Sequence, residues 1–263
     1  MIDLHCHILP GIDDGAPDLE EALAMARVAV ADGIRVTACT PHIYPGLYEN
    51  DAAGIRRAMA EFRRELDREG IPLQLVEGAD VHLCPDLLDG LRGGRIPTLA
   101  RSRYFLFEPP HHVAPPRLEN VVFDLVAAGY VPVLTHPERL TWIDTHYSVF
   151  AKLVHGGAWM QLTAGAITGR FGRRPRYWAE RMLDENLVHI IATDAHRADK
   201  RPPLLAEARE AVAPRVGAGA ADDMVNRRPQ AILQNAGPET VALPERERHT
   251  SRPSLWRRFW GAR

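Results

Sequence analysis

Seven apolar runs of strand length alternate along this chain with segments of helical periodicity, and nothing else in the sequence constrains the fold as much. The runs are residues 1–5, 35–40, 73–79, 104–108, 131–136, 159–163 and 188–194. Between the first two, residues 18–33 place apolar side chains at helical spacing, with Asp18 as the expected N-cap and Gly33 as the stop. Residues 55–70 repeat that logic and stop at Gly70; residues 119–129, 175–186 and 204–212 are the other clear helices. Strands alternating with helices predict an α/β fold with a parallel sheet of βα units, either closed into a barrel or doubly wound. A length of 263 residues suits a single barrel.

A barrel carries its functional side chains at the C-terminal ends of its strands. Those ends present His5 and His7, then His42, Asp80, Glu108, His136, and finally Asp194 and His196; the sixth run offers Gln161 instead. His5 and His7 lie two apart and so project from one side of an extended strand. Taken alone, such a pair is either part of a metal site or two hydrogen-bonded histidines at a strand end. The recurrence of potential ligands at six of the seven strand ends favours the metal site. A sheet built only for stability has no cause to collect ionisable groups at one rim.

Composition narrows the partners. The hydrophobic share of 46% and charged share of 25% are those of an ordinary globular chain. A formal net charge of −2 gives no reason to expect nucleic acid or a membrane surface. The N-terminus shows no secretory signal, and no uninterrupted apolar run is long enough to span a bilayer. Cys6, Cys39 and Cys84 form no CxxC pair, which fits a reducing cytoplasm. A C-x5-R nucleophile motif would need an arginine six residues after a cysteine, where this chain has Ile12, Pro45 and Gly90, so cysteine chemistry is set aside. Cys6 reads as a small core residue facing away from its two histidine neighbours.

DLHCHILPGIDDGA, TPH, FEPP, THPER and TDAH followed by RPP resemble the PHP (polymerase and histidinol phosphatase) superfamily. More narrowly, they resemble the bacterial capsule and exopolysaccharide tyrosine phosphatases of the CpsB/YwqE type. The motifs keep the expected order from residue 1 to about 235. The resemblance implies a distorted (β/α)7 barrel with three divalent metal ions and cytoplasmic dephosphorylation of phosphotyrosine. The substrate it implies is the phosphotyrosine tail of a bacterial tyrosine kinase controlling polysaccharide export. By position, His5, His7 and Asp194 would hold the first ion, Asp80 would bridge, and Glu108 and His136 would complete the second. Asp14, His42 and His196 would hold the third, with Asp14 preferred over Asp13 because the family's carboxylate directly precedes the glycine. Arg139 and Arg201 match the family's phosphate-contacting arginines. Asp80 departs from the family's usual glutamate, and its side chain is one methylene shorter.

Clustered metals lower the pKa of a bridging water, hold the resulting hydroxide as nucleophile and neutralise phosphoryl oxygens. An imidazole and carboxylate set suits Mn, Fe or Zn, with Mn preferred from the resemblance. Arginine supplies forked donors to phosphate oxygens. The plain reading of Arg139 is an ion pair with Glu138, and Arg197 competes with Arg201. His82 reads as a loop residue able to assist Asp80. His111 and His112 either line the pocket or occupy a polar loop. Tyr44 and Tyr48 read as loop packing, with an aromatic wall as the alternative, and Gln161 as a contact to substrate or to a ligand. His146, His155 and His189 read as surface or core histidines. Residues 1–243 form the expected barrel domain. Residues 244–263 are expected to form a basic-aromatic tail, disordered or loosely docked, whose sharper reading is peripheral membrane or partner contact. Two other functions use the same barrel: a small-molecule phosphomonoesterase of histidinol-phosphatase type, and a weakly active or non-catalytic phosphotyrosine-binding barrel.

Overall fold

The protein's computed structural model describes residues 1–241, so the 244–263 tail lies outside the described residues. Within them the strands are β1 Ile2–Cys6, β2 Val36–Cys39, β3 His42–Ile43, β4 Gln74–Glu77 and β5 Asp80–His82. The remainder are β6 Tyr104–Glu108, β7 Val131–Thr135, β8 Trp159–Thr163 and β9 Ile190–Ala192. All pair in parallel, in the orders β1-β2-β4 and β3-β5-β6-β7-β8-β9. The chain runs directly from β2 into β3 and from β4 into β5, so the two sheets share walls and seven strand runs remain. A parallel bridge between Cys6 and Ala195 joins the last run to the first and closes the barrel.

The two interruptions have local causes. Pro41 has no N–H to give the ladder, and it separates β2 from β3. Its carbonyl accepts from the Asp80 N–H at 3.1 Å. Opposite it, Gly78 separates β4 from β5, where an added Cβ would lie 2.9 Å from Leu99. The expected strand over 73–79 is therefore shortened to β4, and Asp80, expected at its end, instead opens a further strand. The last strand is also shorter than the expected 188–194.

Side-chain alternation, interrupted on β1 by a register shift between Asp3 and Cys6, sorts the core into two layers. Tyr104, Leu106, Val131, Val133, Trp159 and Ile190 pack inside with Ile2 and Leu4, and Ile232 of the helix Arg227–Leu233 joins them. Cys6, Cys39, Phe105, Phe107, Leu134 and Met160 face outward into the helix layer. Cys6 is thus buried on the side away from His5 and His7. The first helix, Leu19–Ala31, is capped by Asp18, which accepts the Glu21 N–H at 2.9 Å. The second runs Ala52–Arg68 with Asp51 as cap, starting before the expected 55. The seam between first and last runs also depends on Asp3, buried and bonded to the Thr193 hydroxyl at 2.5 Å and N–H at 2.9 Å.

At the other end of the barrel, Arg228 is 1% exposed and donates to the His189 carbonyl at 2.9 Å. The His189 ring stacks on Trp159, and its Nδ1 accepts the Met160 N–H at 3.1 Å. Burial, reinforced by Arg228, pushes this imidazole down to about 3. A folded-state value below the unfolded one makes the native state refuse a proton, so stability present above about pH 6.5 is lost as pH falls. Between pH 7 and 5, the wild type should lose about 2 kcal/mol more than His189→Asn, which keeps an acceptor but does not titrate. Urea unfolding of both proteins at the two pH values measures this, and equal losses would refute a neutral His189.

Candidate metal centre

Every strand-end residue singled out in the sequence arrives at one rim. His5 Nε2 and His7 Nε2 face each other at 3.1 Å. His5 Nε2 lies 3.4 Å from Asp80 Oδ2 and 3.3 Å from Asp194 Oδ1, and His7 Nε2 lies 3.4 Å from Asp194 Oδ1. His42 Nδ1 is 3.4 Å from Glu108 Oε2 and 3.6 Å from Asp80 Oδ2, while His136 Nε2 is 3.5 Å from Glu108 Oε1. Asp14 Oδ1 stands 3.5 Å from His42 Nε2 and 3.3 Å from His196 Nε2. Four overlapping groups converge: His7, Asp14, His42 and His196; His5, His7 and Asp80; His5, His136 and Asp194; His42, Asp80 and Glu108. These are less separate than the three ligand sets implied by the resemblance. His42 faces both Asp14 and Glu108, and His136 stands with His5 and Asp194 as well as beside Glu108.

These atoms fit divalent cations. A carboxylate only accepts, so His7 Nδ1 must donate to Asp13 Oδ2, 2.7 Å away. His5 Nδ1 is held by Gln161 Oε1 at 2.8 Å, and His196 Nδ1 by the Asp194 carbonyl at 3.0 Å. All three rings therefore turn an Nε2 lone pair inward, a tautomer set by what each Nδ1 touches. Two lone pairs 3.1 Å apart repel unless a cation sits between them. Both Asp80 oxygens, His42 Nδ1 and His136 Nδ1 are buried with no hydrogen-bond partner. Atoms sharing one ion at about 2.1 Å lie about 3.0–3.4 Å apart, close to the gaps seen here. The shorter Asp80 carboxylate still comes within 3.9 Å of the ring nitrogens of His5, His42 and His136.

Two of these residues depend on unusual backbone. His136 has φ +37° and Asp194 φ +50°, a region that non-glycine residues rarely occupy. In the loop after β1, Gly15 lies against His7, where any Cβ would overlap the His7 carbonyl. That close return brings Asp13 under His7 and Asp14 over His42. Asp13 does more than the expected turn: its Oδ2 also accepts the His42 N–H at 3.0 Å, and Oδ1 the Gly15 N–H at 2.9 Å.

The electrostatics are mutual. Burial alone would raise Asp194, but Arg201, His5 and Arg139 hold it well below the usual carboxylate range. Burial and Asp80 oppose the ionised form of Glu108, yet His42, His82 and His136 lower it to about 2. Burial would lower His7, and Asp13 with Asp194 raises it well above the usual imidazole range. Arg139 does not pair with Glu138; it donates through Nη1 to Asp194 Oδ2. Glu138 turns inward and accepts the Thr163 N–H at 2.8 Å. Arg201 Nη2 reaches the same Asp194 oxygen at 2.6 Å, whereas Arg197 is exposed and contributes only backbone.

Residues left open in the sequence now have places. Tyr44 stacks on His82 at 3.9 Å and Tyr48 on His42 at 5.7 Å, so both loop tyrosines pack against histidines of the rim. His82 Nδ1 is 3.6 Å from Glu108 Oε2. His111 is half-buried beside His136, and His112 is exposed. For Asp3, the signal in the sequence is a lone aspartate inside a short buried strand.

A parallel barrel with imidazoles and carboxylates converging at its C-terminal rim defines a barrel with a candidate metal centre. A probable 2-pyrone-4,6-dicarboxylic acid hydrolase from Acinetobacter baumannii shares the fold, at TM-score 0.52 and 14% identity over 89% of this chain and 98% of its own. The family model for capsular polysaccharide synthesis, CpsB/CapC, matches residues 1–234, and the chain belongs to that family. It is 38% identical to the tyrosine-protein phosphatase YwqE of Bacillus subtilis over 201 residues, 76% of this chain and 79% of the relative. It is 31% identical to the putative tyrosine-protein phosphatase CapC of Staphylococcus aureus, over 78% and 80% of the two. A solved chain from the work on YwqE of Bacillus subtilis and CpsB of Streptococcus pneumoniae, described there as unique metal-dependent tyrosine phosphatases, superposes with TM-score 0.86. That match has 34% identity and covers 90% of this chain and 96% of the other.

Asp13→Ala removes the acceptor that orients His7 and anchors His42. Affinity for Mn²⁺ should fall about 10- to 100-fold with the fold retained. Calorimetric titration beside circular dichroism checks this; unchanged affinity would show that the ring needs no such support.

Proposed function

We propose that the protein is a metal-dependent protein-tyrosine phosphatase acting on the phosphotyrosine tail of a bacterial tyrosine kinase that controls capsule or exopolysaccharide synthesis. The observation that carries this reading is Asp194, where the nest of inward imidazoles meets two guanidiniums. Cation ligands beside paired arginines suit a substrate with several anionic oxygens, and the names of the relatives point to phosphotyrosine. In this reading His5, His7, Asp14, His42, Asp80, Glu108, His136, Asp194 and His196 hold three divalent ions, with Mn preferred and Fe or Zn compatible. When bound, the ions supply an activated water and neutralise phosphoryl oxygens.

The chain's own residues do the rest. Arg139 and Arg201 grip phosphoryl oxygens with their N–H edges, a geometry that an ammonium lacks. Tyr44 and Tyr48 flank the opening and offer faces to a flat ring. A phenol has a pKa near 10, so a tyrosine leaving group needs less help from an acid than an aliphatic alcohol does. Residues 1–243 act as one catalytic barrel. No helix among the described residues is long and apolar enough to cross a membrane, and a cytoplasmic site of action is part of the proposal.

Metal-loaded protein should hydrolyse p-nitrophenyl phosphate and a phosphotyrosine peptide, and chelation should abolish both activities. His136→Ala should lower kcat/KM by at least about 100-fold, and Arg139→Ala or Arg201→Ala by about 10- to 1,000-fold, mostly through KM. Full activity after chelation would end the metal mechanism, and a strong preference for histidinol phosphate would reassign the substrate. In Asp80→Glu, elemental analysis should find at least as much bound metal as in the wild type.

A further inference from the structure

We propose that Phe171 is a positioning residue for phosphate binding, its ring serving as a common platform for the guanidiniums of Arg139 and Arg201. This rests on the reading of both arginines as phosphoryl contacts. The Arg139 Cζ lies over the Phe171 ring at 4.8 Å from its centroid, and the Arg201 Cζ at 5.7 Å. Phe171 lies in the turn between the short helix Ala164–Ile167, which follows β8 directly, and the helix Arg173–Asp184; β8 is the strand whose end has no carboxylate or imidazole of its own.

The loop is shaped to deliver that ring. Gly169 and Gly172 have φ +84° and +90°, and the Gly172 N–H donates to the Gly169 carbonyl at 3.0 Å. Arg170, inside this turn, points away and pairs with Glu207 at 2.7 Å. The Phe171 N–H donates to the Gly165 carbonyl at 3.3 Å, and its ring lies on Gly165, where an added Cβ would come within 3.1 Å of two ring carbons. The ring thus has a floor, a turn that aims it, and two cations above it.

The arrangement answers an electrostatic problem. Both guanidiniums hydrogen-bond one oxygen of Asp194, so two like charges crowd a single acceptor. An aromatic face attracts a guanidinium face and leaves its N–H edges free. Arg201 Nε is buried with no hydrogen-bond partner, a donor available to a ligand oxygen. As the arginines turn from Asp194 toward phosphate, Phe171 is a neutral contact that competes with neither.

The test uses metal-loaded full-length protein and inorganic phosphate, measured by calorimetry and as a competitive inhibitor of p-nitrophenyl phosphate hydrolysis. Phe171→Leu should weaken phosphate binding and raise KM about tenfold, the scale of one or two cation–π contacts, with metal content unchanged. Phe171→Tyr should restore both to within about twofold. Gly165→Ala keeps the ring but displaces it, and should weaken phosphate binding in the same direction; it also serves if Phe171→Leu fails to fold. Wild-type phosphate affinity in Phe171→Leu and Gly165→Ala, or a loss that Phe171→Tyr does not restore, overturns the proposal. A wild-type holoenzyme that binds no phosphate overturns the arginine reading first, and this one with it.

Discussion

The rim is organised around a repulsion. His5 and His7 turn lone pairs toward each other at 3.1 Å, beside buried Asp80 oxygens that no protein donor reaches. A folded chain tolerates converging acceptors only when something positive joins them, a proton or a metal ion. The raised imidazoles and depressed carboxylates describe the proton-held form of that compromise. Gln161, Asp13 and the Asp194 carbonyl each fix a ring's outer nitrogen, so the inner ones cannot relax by rotating. Local hydrogen bonding therefore keeps the inward electron pairs converging on points that a cation can satisfy.

The barrel delivers those atoms only by departing from regular strands. Continuous β2–β3 and β4–β5 walls would carry His42 and Asp80 along a straight ladder. The breaks at Pro41 and Gly78 let both runs bend, and His42 and Asp80 then pair in register. On the opposite wall, His136 and Asp194 follow their strands in left-handed backbone. Each such residue costs about 1–3 kcal/mol, which the surrounding barrel offsets.

Much of this was legible in the residues. The strand–helix alternation predicts a parallel sheet of βα units, because period-two and period-3.6 patterns are local properties of the chain. Strand ends rich in His, Asp and Glu locate the rim for the same reason. Other features were hidden because they depend on distant neighbours. Nothing near Asp13 announces that it will hold His7 and the His42 N–H. The turn around Phe171 reads as an ordinary glycine-rich loop until Arg139 and Arg201 stand over it. The strand breaks were equally silent: Pro41 and Gly78 are both visible in the sequence, but only the fold sets them opposite each other. The Arg139–Glu138 pairing is the reverse case, an obvious local interaction that a buried partner across the barrel displaces.

The seam that closes the barrel sets an order in time. Asp3, His5 and Cys6 wait for Thr193, Asp194 and Ala195, nearly the whole barrel later in the chain. A growing polypeptide exposes its first imidazoles long before the carboxylate that shares their corner exists. Contacts so distant in sequence form late and make folding slow. The Asp194 corner of the rim is therefore complete only once the last strand has docked against the first.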